Sequence, residues 1–158
     1  MRFRSTTWLV AASVVLAAWS GVPTEADQGA NQAATALEVR LAEAQPAAGL
    51  IEASLPGSTA KIYLHREIVV TNADVVQARV VPGSSSSDFS VSVAFSSEGA
   101  AKMAQATAAH LNKPLAILIN GQVVAAPTLR GQISNTAVIA GDFTNSEAAA
   151  IATGLNLK

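Results

Sequence analysis

Apolar and polar positions from Leu37 onward follow two rhythms, one of two residues and one of three to four, so strands and helices are both predicted. Leu37, Val39 and Leu41 alternate with Glu38 and Arg40, the pattern of a half-buried strand. Pro46-Ala47-Ala48-Gly49 breaks it, and Leu50 to Leu55 forms a weaker second strand closed by Pro56-Gly57. Lys61 to Leu64 and Glu67 to Val70 are expected to form a short pair around His65-Arg66. In Thr71-Asn72-Ala73-Asp74 a hydroxyl can cap a turn while an acid three residues on returns to the cap nitrogen. One helical turn is expected there, leading into a strand around Val75 to Val81.

Phe89, Val91, Val93 and Phe95 alternate with Ser90, Ser92 and Ala94, the clearest strand in the chain. Ser96 or Ser97 then caps a helix expected to run to about Leu111, with an apolar face of Ala100, Met103, Ala104, Thr107 and Leu111. Alanine buries far less area than the roughly 1.5–3 kcal/mol worth of a Leu or Phe side chain, so this helix must approach its sheet closely. Leu115 to Ile119 and Gln122 to Ala126 flank Asn120-Gly121, a pair suited to positive φ at both centres of a type I′ hairpin turn. Pro127 cannot donate to a ladder and ends the second strand. A strand Ala137 to Ala140 precedes Gly141-Asp142-Phe143. Thr144-Asn145-Ser146-Glu147 is a complete capping box for a last helix with Ala148, Ile151, Ala152 and Leu155 as its buried stripe. The sum is an α+β fold, a mainly antiparallel sheet with two amphipathic helices packed on one face.

Composition narrows the chemistry. The 158 residues are 50% hydrophobic and 13% charged and include no cysteine. Disulfides, thiolate metal sites and lipoprotein anchors are thereby excluded. Ten Lys and Arg against eleven Asp and Glu give a net charge of −1, so the basic footprint of a nucleic-acid binder is missing. Part of the apolar content belongs to residues 1–26. Arg2 and Arg4 precede an uncharged stretch from Trp8 to Trp19, and small residues sit at minus three and minus one of a cut after Ala26. This is the layout of a cleavable signal peptide, so a periplasmic or secreted product is expected. A cut after Ser20 competes, and an uncleaved anchor is the other reading, although the stretch falls short of the roughly twenty residues that span a bilayer. Both tryptophans lie in this segment. Residues 27–36 are small and polar and are expected to be a disordered spacer, and Pro82 to Ser87 a solvated connection.

Candidate chemistry is sparse. His65 falls in a turn and His110 near a helix end, where surface or capping roles are expected. A zinc site needs three or four converging ligands, and no spaced histidine pair supplies them. Ser84 to Ser87 beside Asp88 offer hydroxyls without a histidine or a Gly-x-Ser-x-Gly elbow, so a cryptic hydrolase is the weakest reading. No catalytic residue, metal or cofactor is expected. Strand-rich modules can instead add an extended peptide to a sheet edge through the main chain. Leu115, Ile117, Ile119, Val123 and Ala125 of the hairpin and Ile139 of the later strand are the candidate edge, unless these strands are paired internally.

The second half resembles the periplasmic head subdomain of the SecD family. The strand, Glu98-Gly99-Ala100 and Thr107 are similar to that family's strand, Glu-Gly-Ala and Thr-bearing helix. Lys113, Leu115, Ala116, Ile117, Asn120, Gly121, Val123, Ala126 and Pro127 fall on its Lys-x-Leu-Ala-Ile hairpin closed by Ala-Pro. Ile139, Gly141, Phe143, Thr144, Glu147, Ala148 and Leu155 match its Ile-x-Gly-x-Phe-Thr-x-x-Glu-Ala helix entry. Tyr63, Leu64, Glu67, Thr71, Asn72, Asp74 and Ala78 match its Tyr-Leu segment and Thr-x-x-Asp turn. Asn120 replaces the hairpin acid common in the family, and Ala125 the Ser before Ala-Pro. A SecD continues into a base subdomain and transmembrane helices, whereas this sequence ends at Lys158. The resemblance therefore implies residues 37–61 as N-terminal strands before a head-like domain over 62–158, in a free-standing exported module. Gly99, Asn120, Gly121, Pro127, Gly141, Thr144 and Glu147 are its structural motif. The expected partners are unfolded or exported polypeptides; a structural or assembly role docked to an envelope protein is the alternative.

Overall fold

The computed structural model describes residues 34–83 and 88–157. The expected signal peptide, the spacer up to residue 33 and Ser84 to Ser87 lie outside them. Nine strands and two helices follow one another among the described residues, and every strand pairing is antiparallel.

The strands divide into two sheets rather than the single one expected. The first is built on β1 (Leu37–Glu43) and β7 (Leu115–Ile119), which pair from Leu37 opposite Ile119 to Leu41 opposite Leu115. Along the other edge of β1 run β3 (Lys61–Leu64) and β4 (Val70–Thr71). These were expected to pair with each other around His65-Arg66. Instead His65 N–H donates to Leu41 O and Val69 N–H to Val39 O, so both continue along β1 as one run interrupted by residues 66–68. The central β1 offers a full ladder partner to each, which a two-strand hairpin of this length does not. β2 (Ile51–Ser54) covers β3, and β8 (Gln122–Ala125) covers β7.

The second sheet has the order β5 (Val75–Pro82), β6 (Phe89–Phe95), β9 (Thr136–Phe143). Between the sheets lies the main core. Leu37, Val39, Leu115, Ile117 and Ile119 meet Val75, Val91, Val93, Phe95 and Ile139 there. α1 (Ser97–Ala108) adds Ala100 and Met103 to this cluster, and α2 (Asn145–Asn156) adds Ala148, Ala152 and Leu155. β7 is buried on both sides, because Ala116 and Leu118 join a second cluster with Ala42, Ile62, Leu64 and Val123. Its unbroken Leu-Ala-Ile-Leu-Ile run, without alternation, is what two buried faces require.

Helix and turn chemistry follows the caps. Thr71 and Asp74 close a capping box on the 3-10 turn Asn72–Asp74, and Thr144 and Glu147 close another on α2. Ser96 Oγ accepts from Gly99 N–H and starts α1. Gly99 lies against the Asp74 main chain, where an added Cβ would sit 2.8 Å from Asp74 Cβ and 3.1 Å from its carbonyl oxygen. α1 ends at Ala108, earlier than expected. Leu111 is consequently exposed and His110 is buried in the following turn. Asn120 and Gly121 have φ of 52° and 80°, the type I′ turn expected. Asn120 also ties down the chain start: its Oδ1 accepts from Ala36 N–H and its own N–H donates to Ala36 O. Thr35 is buried and donates to Gly154 O, so the last residues of the expected spacer are anchored. Past Pro127 the hairpin continues irregularly, with Leu115 donating to Pro127 O and Leu129 to Lys113 O.

Candidate functional site

The six candidate edge residues do not share an edge. Leu115, Ile117 and Ile119 lie on β7, buried between β1 and β8, so the expectation of an exposed edge there is corrected. Within the hairpin only β8 ends a sheet; its Val123 is buried and Ala125 half-buried. Ile139 is buried, but its strand β9 is the terminal strand of the second sheet. Three of the six come together in another way. Leu115 and Ile117 face Ile139 across an apolar slot of about 200 Å³, whose rim includes Pro127, Ile133 and Thr136 to Val138.

β9 has the features of a free edge. Thr136, Val138, Ala140 and Asp142 are exposed, while Ala137, Ile139, Gly141 and Phe143 turn inward. Asn135 O accepts from Phe95 N–H, so strand alternation directs the main-chain groups of Ala137 and Ile139 to β6. Those of Thr136, Val138 and Ala140 point away from it, beside the slot. The ladder breaks at Gly141-Asp142, because Ser90 faces Ala140 whereas Phe89 faces Phe143. Gly141 thus marks a bulge within the strand rather than its end. At the opposite edge of the sheet the main chain of β5 is closed at Ala78, whose N–H and C=O are both bonded by the Asn156 carboxamide.

Polar groups converge in two further places. Asp74 accepts from Thr71 N–H at 3.0 Å and from Lys102 Nζ at 2.8 Å. Burial pushes its carboxyl up, but these bonds and the Lys102 charge outweigh it and leave it below its ordinary value. Glu43, at the end of β1, meets Lys113 at 2.9 Å and His65 Nε2 at 3.4 Å, with His110 Nε2 4.0 Å away. The Lys113 bond, against partial burial and helped by His65 and His110, holds the Glu43 carboxyl below its ordinary value. His110 takes neither the surface nor the helix-capping role expected: Nε2 donates to Ala42 O at 2.9 Å and the ring stands edge-on to His65 at 5.6 Å. One potential ligand atom from each of Glu43, His65 and His110 lies within 4.8 Å of the others. Sequence spacing carried no sign of this trio, because its members come from three elements far apart in the chain.

The fold has relatives of known identity. Residues 48–157 match the SecDF P1 head subdomain. The SecD subunit of the protein translocase from Elusimicrobium minutum is 37% identical over 90 residues, covering 57% of this chain and 19% of its own length. The Rhodobacter capsulatus SecD is 34% identical over 85 residues, covering 53% of this chain and 15% of its own. The chain thus spans under a fifth of either protein. Among solved structures, SecDF in its super-membrane-facing form superposes with a TM-score of 0.64 at 27% identity, over 79% of this chain and 19% of that one. A SecDF described as a membrane component that enhances protein export superposes at 0.62 and 26% identity, over 79% of this chain and 63% of that one. None of the described helices is long and apolar enough to cross a membrane. The match over residues 48–157 places this chain in the SecDF P1 head subdomain family.

Proposed function

We propose that this head module is exported and binds extended polypeptide by strand addition at β9, in the protein-export setting that its relatives' names carry. The observation that supports it is the outward-facing main chain of Thr136, Val138 and Ala140 beside an apolar slot. Main-chain bonds to an edge supply sequence-tolerant affinity, and the slot accepts one apolar side chain of whatever segment lies there. Such a mode suits a partner that is unfolded and variable, and it asks for little catalytic chemistry. The signal-like residues 1–26 support a periplasmic or secreted location.

The test is amide NMR on labelled residues 27–158 titrated with an unfolded secretory protein to high micromolar concentration. Shifts are expected along β9 and at Ile133. Val138→Pro removes an outward N–H without breaking the ladder to β6 and should abolish them while the fold persists. A spectrum unchanged throughout the titration rejects the reading. Copurification with one folded envelope protein, insensitive to Val138→Pro, would instead favour an assembly role.

A further inference from the structure

We propose that Glu43, His65 and His110 form a Zn²⁺ site, with one carboxylate oxygen and two imidazole nitrogens as ligands. The three residues come from the end of β1, the segment after β3 and the turn after α1, and their ligand atoms lie within 4.8 Å of one another. Zinc–nitrogen and zinc–oxygen bonds of about 2.0–2.2 Å put tetrahedral ligands about 3.4 Å apart. The trio needs to contract by little more than an ångström. Glu43 and His65 are only partly buried, so their side chains are able to turn inward.

The buried partner, His110, reaches the site through a nitrogen that already holds a bond. His110 Nε2 is the ring nitrogen nearest Glu43, at 4.0 Å, and it also bonds the Ala42 carbonyl at 2.9 Å, so ligation by Nε2 exchanges that bond for the metal and moves the ring proton to Nδ1. An open pocket of about 500 Å³, lined by Glu43, His65 and the 45–50 segment, leaves room for a water as fourth ligand. Two nitrogens and one oxygen favour zinc and its neighbours over calcium or magnesium, which prefer all-oxygen shells.

Lys113 is the competitor. Its ammonium bonds Glu43 Oε1, yet its side chain is half exposed on a flexible stem, so an arriving dication displaces it without burying a charge. Bound metal would clasp the end of β1, the interrupted β3–β4 run and the turn after α1. Nothing in strand addition at β9 depends on it.

The test uses the tag-free full chain titrated with Co²⁺, whose visible absorption reports ligand geometry, followed by displacement with Zn²⁺. One equivalent is expected to bind, Mg²⁺ and Ca²⁺ are expected not to compete, and affinity should fall on acidification as protons contend for the ligands. His65→Asn and Glu43→Gln, both at partly exposed positions, should each weaken binding at least about tenfold with the far-ultraviolet circular dichroism unchanged. Lys113→Gln should tighten it. The absence of a Co²⁺ spectrum at millimolar metal overturns the proposal, as does binding that neither His65→Asn nor Glu43→Gln weakens. Binding that Lys113→Gln fails to tighten removes Glu43 from the ligand set and overturns it equally.

Discussion

The carboxamide of Asn156 bonds both main-chain groups of Ala78, accepting from its N–H at 2.8 Å and donating to its C=O at 2.9 Å. A residue at the end of α2 thereby stands in for a strand neighbour at the outer edge of β5. Asn156→Ala leaves two partly buried groups unpaired and is expected to lower stability by about 1–3 kcal/mol in urea unfolding. It should also slow refolding at high concentration, since a second edge is then open to other chains.

Gly99 and Gly131 make a matched pair of tests. Gly99→Ala puts a methyl group against the Asp74 backbone and is expected to cost about 1–3 kcal/mol. A Cβ at Gly131 meets nothing within 4 Å, so Gly131→Ala should be neutral or stabilising by up to about 1 kcal/mol. Equal thermal midpoints for the two variants would contradict the close approach of α1 to the turn at Asp74.

Asp74 sets an acid limit. Its folded carboxyl is held below the ordinary 3.8, so its contribution is fully present above that value and is lost as pH falls through the lower folded value. Asp74→Asn should cost about 1 kcal/mol at neutral pH through the weakened cap. It should also flatten the decline in stability below pH 3.8, which acid titration followed by circular dichroism measures.

Ile117 and Val138 separate core from surface. Ile117 is 5% exposed and Val138 56%. Ile117→Ala should cost about 2–5 kcal/mol and enlarge the slot beside β9. Val138→Ser should stay within about 0.5 kcal/mol in the same unfolding measurement.

The proposed export predicts a mass signature. Intact-mass analysis of the secreted or periplasmic product should show a chain that starts at Asp27. A product retaining Met1 in the membrane fraction would reject cleavage.

Much of this architecture was legible as local pattern. The capping boxes at Thr71 and Thr144, the Asn120-Gly121 turn and the alternation of Phe89 to Phe95 depend on neighbours within a few residues, and each appears where it was read. Failures cluster where distant segments compete. Nothing near Lys61 to Val70 reveals that β1 is a better partner than a hairpin. Nor does the stretch from Ala108 to Leu111 show that the helix stops early and buries His110 against Ala42.

The division has a physical basis. Backbone dihedral preference, capping and the two hydrophobic periods act over one turn or one pleat, so the sequence by itself determined most of the strands, turns and helices to within a few residues, and that the first helix would be small-faced and closely packed. Only the tertiary structure decided that the strands split into two sheets and that β9 rather than β7 keeps a free edge. It alone brought Glu43, His65 and His110 together. Those outcomes rest on which distant surfaces bury the most area together, a competition among whole elements that no local pattern records.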